Sequence, residues 1–225
     1  MNILTTIRYP DAWMIGQLRL PQIDLTMPIS ERDQKADSSW AGGVVDAFNL
    51  SRGETIHLIG DGQDGWKSWM FESALIARGI PFSAAEGAIW DVARTEMFLR
   101  RLKPKAVVGM NGGIVEALLS AGHDLKYLLE SSRVILCDSA AARILKPLGL
   151  LAARMAWFGP VLGVEWPGEQ GFRYNHREWK LEAIRGELLV TALMPRAFPV
   201  VRLSVGTYGQ IEVIQADHRV VLESA

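Results

Sequence analysis

Gly186-Glu187-Leu188-Leu189-Val190-Thr191, followed after a short break by Pro199-Val200-Val201-Arg202-Leu203-Ser204-Val205-Gly206-Thr207, is the stretch on which the fold is decided. Leu188 to Ala192 is a short apolar run with β-branched residues, and Pro199 to Val205 is a second one. Met194-Pro195-Arg196-Ala197 interrupts them, so the pattern predicts two consecutive strands. On the C-terminal side, Ile211 to Gln215 and Arg219 to Leu222 read as a hairpin around Ala216-Asp217-His218. On the N-terminal side, Phe172-Arg173-Tyr174 and Trp179 to Ile184 add further short strands. After Gly168 the chain is therefore β-rich and antiparallel in character.

Before that point the pattern changes to alternation of strand and helix. Thr55-Ile56-His57-Leu58-Ile59-Gly60 is a buried-type strand, and Trp66 to Arg78 carries apolar residues at helical spacing, with Gly79 as its C-cap. Ile80-Pro81-Phe82 opens the next strand, and a helix from Ile89 to Leu102 ends before Pro104. Strand 106–110 turns at Asn111-Gly112-Gly113 into helix Ile114 to Ala121. Tyr127 to Ser131 precedes strand Arg133 to Cys137, and Asp138 caps a helix from Ser139 to Leu148. Such alternation predicts a mostly parallel sheet flanked by helices. The fold class is thus α/β, with residues 1–165 forming the sheet domain and 166–225 a small antiparallel β subdomain packed on it. Residues 1–30 are irregular to β-like, because Pro10, Pro21 and Pro28 break helices and Ile23, Leu25 and Met27 alternate. Ser30 or Asp33 caps a helix running towards Phe48.

Composition narrows the function. The 49% hydrophobic content with 22% charged residues is that of a globular chain with a substantial core. With 24 basic and 25 acidic residues and no long run of either sign, there is no basic stripe for nucleic acid. No apolar stretch has the length of a membrane span, and Met1 to Pro10 lacks a signal-peptide layout. The single cysteine, Cys137, excludes an internal disulfide and a multi-cysteine metal site, and reads as a buried thiol at a strand end. A reducing, cytoplasmic setting follows. Histidines 57, 123, 176 and 218 form no two-His helical motif, so no metal site is expected, and no cofactor either. The eight tryptophans are scattered, which suits core and pocket-wall positions.

Gly186 to Thr191 with Pro199, Arg202 and Gly206 resembles the late strand pair of the adenylate-forming enzymes, the AMP-binding or acyl-CoA synthetase superfamily, and most closely its phenylacetate-CoA ligase branch. Arg101 to Asn111 is similar to that family as well, and the resemblance covers roughly residues 28–215. It implies a core subdomain of that fold, without the N-terminal subdomain and the mobile C-terminal domain of a full member. It also marks departures. The position of the family's ribose-binding Asp is Thr207, which carries no charge. The phosphate-loop position is Pro21-Gln22-Ile23-Asp24-Leu25-Thr26, with no glycine and one missing N–H. The family's aromatic-Gly-Ser/Thr-Thr-Glu run is similar to Trp157-Phe158-Gly159-Pro160-Val161-Leu162, with Val161 at the phosphate-touching Thr and Leu162 at the magnesium-binding Glu. Leu162 offers no oxygen to a hard cation, and Glu165 is shifted by three residues.

The expectation is therefore a degenerate homologue without an MgATP site. Ligands of open α/β sheets sit in the crevice beyond the strand C-termini. Three turns are expected to meet there, and the candidate ligand-binding residues are Asp61 and Asp64, Asn111, Gly112 and Gly113, and Trp157, Phe158 and Gly159. The glycines admit a ligand close to the backbone, and the aromatics supply a wall. Two classes of function remain open. One is a site for an acyl or aryl small molecule or an activated thioester, with chemistry on it. The other is a non-catalytic subunit that associates with a ligase, a carrier protein or its own copy. His57, Asp61, Asp64 and Glu165 are the acid–base candidates, and no catalytic residue is assigned.

Overall fold

The computed structural model describes residues 11–60, 62–214 and 217–222. Its first two strands, β1 (Ala12–Leu20) and β2 (Ile23–Ser30), pair antiparallel and turn at Pro21-Gln22, with Leu20 opposite Ile23. Along β1 the inward positions are Met14, Gly16, Leu18 and Leu20, while Trp13 and Ile15 face out. Ser30 ends the hairpin and begins α1 (Glu31–Asp46) through a capping box: its side chain accepts from the Asp33 N–H, and the Asp33 carboxylate accepts from the Ser30 N–H.

From Ile56 the alternation expected from the sequence is present. The elements are β3 (Ile56–Gly60), α2 (Gly65–Arg78), β4 (Phe82–Glu86), α3 (Val92–Leu102), β5 (Ala106–Met110), α4 (Gly112–Ser120), α5 (Leu125–Leu129), β6 (Val134–Cys137), α6 (Ser139–Leu145) and β7 (Ala152–Phe158). Strands β4, β3, β5, β6 and β7 lie in that order and all pair in parallel. Gly79 ends α2 in the left-handed conformation, φ 63°, as a C-cap glycine does. Residues 89–91 form a 3-10 turn instead of the first turn of α3.

Alternation along the strands explains why helices cover both faces. Ile56, Leu58, Val108 and Leu136 point to one side and meet Val44, Phe71 and Leu75 of α1 and α2. Ile59, Val107 and Ile135 point to the other and meet Leu99, Ile114, Leu118 and Leu145 of α3, α4 and α6.

The sheet then continues antiparallel. β8 (Val161–Glu165) folds back on β7 around Gly159-Pro160, β9 (Phe172–Tyr174) pairs with β8, and β13 (Asp217–Leu222) pairs with β9. β12 (Leu203–Ile214), β11 (Glu187–Ala192) and β10 (Trp179–Ile184) complete an eleven-stranded order among the described residues. Phe158, Phe172, Trp179, Val190, Val205 and Val220 form the core of this half. The second strand of the opening stretch starts later than Pro199–Val205 suggests, at Leu203, and continues as one strand to Ile214. Arg202 takes a left-handed φ of 50° and its N–H donates to Thr191 Oγ1, while Val201 is exposed, so the chain there is a loop.

Candidate functional site

β3, β5, β6 and β7 run parallel, so their C-terminal ends open on the same side, and there the sheet borders a cleft of about 230 Å³. Leu58, Val108 and Met155 floor it, Phe71 and Ser68 of α2 close one side, and Trp157 closes the other. Backbone approaches from Gly60, Gly87 and Gly109. Gly109 is the most constrained of these. It sits at the register shift between Val108 and Met110 with φ 88°, and a side chain there would collide with the Ile59 carbonyl oxygen. The glycine thus lets β5 swell next to β3 at the mouth of the cleft.

The polar groups at the rim are held by the protein itself. Asn111 caps α4 by accepting from Ile114 N–H at 2.9 Å, and its Nδ2 donates to the Gly87 carbonyl at 2.9 Å. Asp138 caps α6, accepting from Ala141 N–H at 2.7 Å, and its other oxygen accepts from Gly112 N–H at 3.2 Å. Among the described residues, Lys67 supplies the one ammonium that lines the cleft. It donates to Asp64 Oδ2 at 2.6 Å and stands 5.4 Å from the ring centroids of both Trp66 and Trp157. Those two indoles meet edge to face at 5.1 Å. The cleft is thus apolar inside, with the Lys67 ammonium paired to Asp64, the Asn111 amide and the Asp138 carboxylate at its edge. It can hold an apolar or aromatic body and favour an electron-rich oxygen near Lys67.

Of the residues singled out from sequence, Asn111 and Trp157 line this cleft, and Asp64 reaches it through Lys67. Asp61 lies outside the described residues. Gly112 and Gly113 do not face the cleft. A methyl on Gly112 would lie 2.7 Å from Ala140 Cβ, so that glycine allows α4 to pack closely on α6. Phe158 alternates away from Trp157 and packs edge to face on Phe172 at 5.7 Å in the core. Gly159 turns the β7–β8 hairpin with φ 59° against Val205. The pleat of β7 explains the split: only one of two adjacent aromatics can point to the cleft. Lys67, Asp138, Gly60, Gly87 and Gly109 were not singled out. A Gly at or near the end of β3, β4 and β5 is a visible signal, whereas Lys67 looks like any solvated helix residue until α2 is packed.

The acid–base candidates are committed elsewhere. His57 is buried on β3, with Nδ1 2.9 Å from Ser83 Oγ, and burial pushes its imidazole down to about 4. Glu165 accepts from Arg154 in a two-pronged pair and from the Gly171 N–H at 3.2 Å. Cys137 is fully buried with its Sγ directed at the Ala153 carbonyl, and burial raises the thiol to about 12, far from a thiolate at neutral pH. Among the described residues no group of three or more His, Cys, Asp or Glu is placed to hold a metal ion. No helix among them is long and apolar enough to cross a membrane.

No family model matches the sequence, and no curated protein matches it. The likeness is one of structure. A 2-hydroxyisobutyryl-CoA ligase in its postadenylation state superposes with a TM-score of 0.73 at 13% identity, over 96% of this chain and 52% of that one. Coronafacic acid ligase from Pectobacterium brasiliense follows at 0.63 and 12%, over 88% and 44%. O-succinylbenzoate coenzyme A synthetase from Bacillus subtilis, in complex with AMP, gives 0.60 and 12%, over 97% and 63%. The fold is therefore that of the adenylate-forming acyl-CoA ligases, as the late strand pair led one to expect. The chain spans about half the length of the first of these structures.

Proposed function

We propose that this chain is a homologue of the adenylate-forming enzymes without an MgATP site, and that it holds a small acyl or aryl compound, free or as an activated thioester, in the cleft between Lys67 and Trp157. The observation that carries the reading is the contrast between two places. The cleft at the strand ends is open and apolar, with Lys67 at its edge. The residues at the positions that the resemblance assigns to nucleotide and magnesium are engaged in packing, which supports the reading. Pro21, at the turn of the β1–β2 hairpin, packs against Gly206, where a methyl would lie 2.5 Å from the Pro21 ring. Leu162 is 3% exposed and belongs to the apolar cluster over β3 and β5. A carboxylate for magnesium is absent from that position, and Glu165 is neutralised by Arg154. Chemistry on the bound compound would draw on the polar rim of Asn111 and Asp138, since His57 and Cys137 are buried away from the cleft.

Thermal unfolding with phenylacetate, and with phenylacetyl and butyryl thioesters of coenzyme A, tests the reading. A ligand that binds only the native state raises the melting temperature, and the rise grows with the logarithm of ligand concentration above the dissociation constant. The expected result is such a concentration-dependent rise with at least one of these compounds that Trp157→Ala removes. No rise with any of them, or a rise that Trp157→Ala leaves intact, would refute the placement.

A second reading has its own support. Trp13 of β1 and Trp69 of α2 are 49% and 37% exposed, stand 5.6 Å apart, and lie beside exposed Ile15 on the same strand. An exposed aromatic patch of this kind suits a subunit that associates with a second copy or another protein. Sedimentation over a range of concentrations distinguishes the two: a monomer throughout removes self-association.

A further inference from the structure

A second cavity, of about 30 Å³, lies between the β1–β2 hairpin, α1 and α2, with Trp66 in its wall. Its walls are largely apolar and aromatic, with Trp66, Trp69, Trp179, Met27 and Phe198 around it, and its polar wall carries Asp33, Asp37 and Arg196. We propose that this cavity binds the ammonium head of a small primary alkylamine, held by Asp33 inside a cage of three indoles.

Asp33 is the unusual group. Its side chain is 4% exposed. Oδ2 is fully used, accepting from the Ser30 N–H at 3.0 Å, the Ser30 hydroxyl at 2.8 Å and the Ala197 N–H at 3.0 Å. Oδ1 is buried and has no hydrogen-bond partner. A buried carboxylate oxygen without a donor is costly, and this one belongs to a residue in the cavity wall, where a donor on a ligand would relieve it. The nearest cation, Arg32 Nη1, stands 3.8 Å from Oδ1 and is already committed, at 3.1 Å to Glu178 and 2.8 Å to the Pro195 carbonyl.

Charge points the same way. Asp33, Asp37 and Glu178 are three carboxylates, and the guanidinium groups that pair with them are Arg32 and Arg196. Arg196 is 5% exposed, spans Asp37 and Glu178, and lies 4.2 Å above the Trp179 ring. One negative charge is therefore left over beside the cavity, and it belongs with the oxygen that lacks a donor. An anion would meet the Asp33 and Asp37 carboxylates of the wall, and a neutral apolar ligand would leave Oδ1 unpaired. A cation with N–H donors fits both, and indole faces favour cations.

Size sets the class of amine. A volume of about 30 Å³ accepts roughly two water-sized groups, enough for an ammonium and the first methylene but not for a guanidinium or a quaternary head. Trp69 is half exposed at the cavity edge, so a longer alkyl chain leaves along its ring.

The test uses the full chain with n-butylammonium as probe, and n-butanol and butyrate as neutral and anionic controls, read by calorimetry and by tryptophan emission. The expected result is saturable binding of n-butylammonium at least tenfold tighter than n-butanol, with no binding of butyrate. Asp33→Asn, which keeps an acceptor for Ser30 and Ala197, should weaken the amine at least tenfold. Trp69→Ala, at a partly exposed position that leaves the capping box intact, should weaken it several-fold and shows the effect even if Asp33→Asn does not fold. Equal binding of butanol and butylammonium, no saturable binding of the amine, or unchanged amine affinity in Trp69→Ala would each overturn the assignment.

Discussion

Gly109→Ala tests the backbone geometry that shapes the cleft. Gly109 has φ 88°, a conformation that costs a non-glycine residue about 1–3 kcal/mol. Its new methyl would also run into the Ile59 carbonyl oxygen, a backbone atom of the neighbouring strand that has no side-chain freedom with which to retreat. Relieving such an overlap by shifting strands costs a further ~1–3 kcal/mol. Together these amount to about 2–6 kcal/mol, and in a chain of this size each kcal/mol lowers the melting temperature by roughly 2–4 °C. Gly79→Ala is the control. It has φ 63° but no atom within 4 Å of the added methyl, so only the conformational cost of about 1–2 kcal/mol applies. Urea and thermal unfolding by circular dichroism should therefore place Gly109→Ala clearly below Gly79→Ala. Equal losses for the two would show that the close approach of β5 to β3 is not a constraint, and the reasoning about the cleft mouth would fail with it.

Two further outcomes follow from buried ionisable groups. His57 is neutral in the fold, with its imidazole near pH 4 against an ordinary value of about 6.5, so the folded state binds fewer protons than the unfolded one between those values. Its contribution is complete above about pH 6.5 and is lost as pH falls towards 4, by about 3 kcal/mol in all; His57→Leu should flatten the urea-stability profile over that window, and an unchanged profile would refute the burial. Glu165→Ala leaves Arg154 and the Gly171 N–H without their acceptor and should cost about 3 kcal/mol, the low end for a buried pair because the Arg154 side chain keeps 30% exposure; a loss below about 1 kcal/mol would show the pair to be a surface contact.

Much of the fold was legible in the sequence because the signals were local. A helix start at Ser30 or Asp33, the left-handed stop at Gly79, the turn into a helix at Asn111 and the N-cap at Asp138 are each readable from a few neighbouring residues. The β1 strand was not, since Trp13 and Ile15 place large apolar side chains on the exposed face and spoil the alternation that Gly16 and Leu18 would otherwise show. The β7–β8 hairpin was hidden for the opposite reason: every residue of β8 is buried, so the run from Val161 to Glu165 carries no period. Arg202 could not be read as a break, because a left-handed arginine has no sequence signature.

The site was legible in part. Asn111 follows a strand that the alternation locates, whereas Trp157, singled out through the resemblance of Trp157-Phe158-Gly159, lies within β7; both line the cleft. Gly112 was read as admitting a ligand, but its missing side chain serves the contact of α4 with Ala140. That distinction depends on which helix passes behind the turn, and no spacing in the chain records it. Asp33 Oδ1 was equally invisible: as sequence it is a capping residue, and only the packing of Ala197 onto its other oxygen leaves one acceptor over.

The most direct test of the central claim is a calorimetric titration of the purified chain with MgATP. With Pro21 against Gly206, Leu162 in the apolar core and Thr207 in place of a carboxylate, no saturable heat is expected at sub-millimolar nucleotide. Saturable MgATP binding in that range would contradict the account, because the proposed function gives this chain no MgATP site.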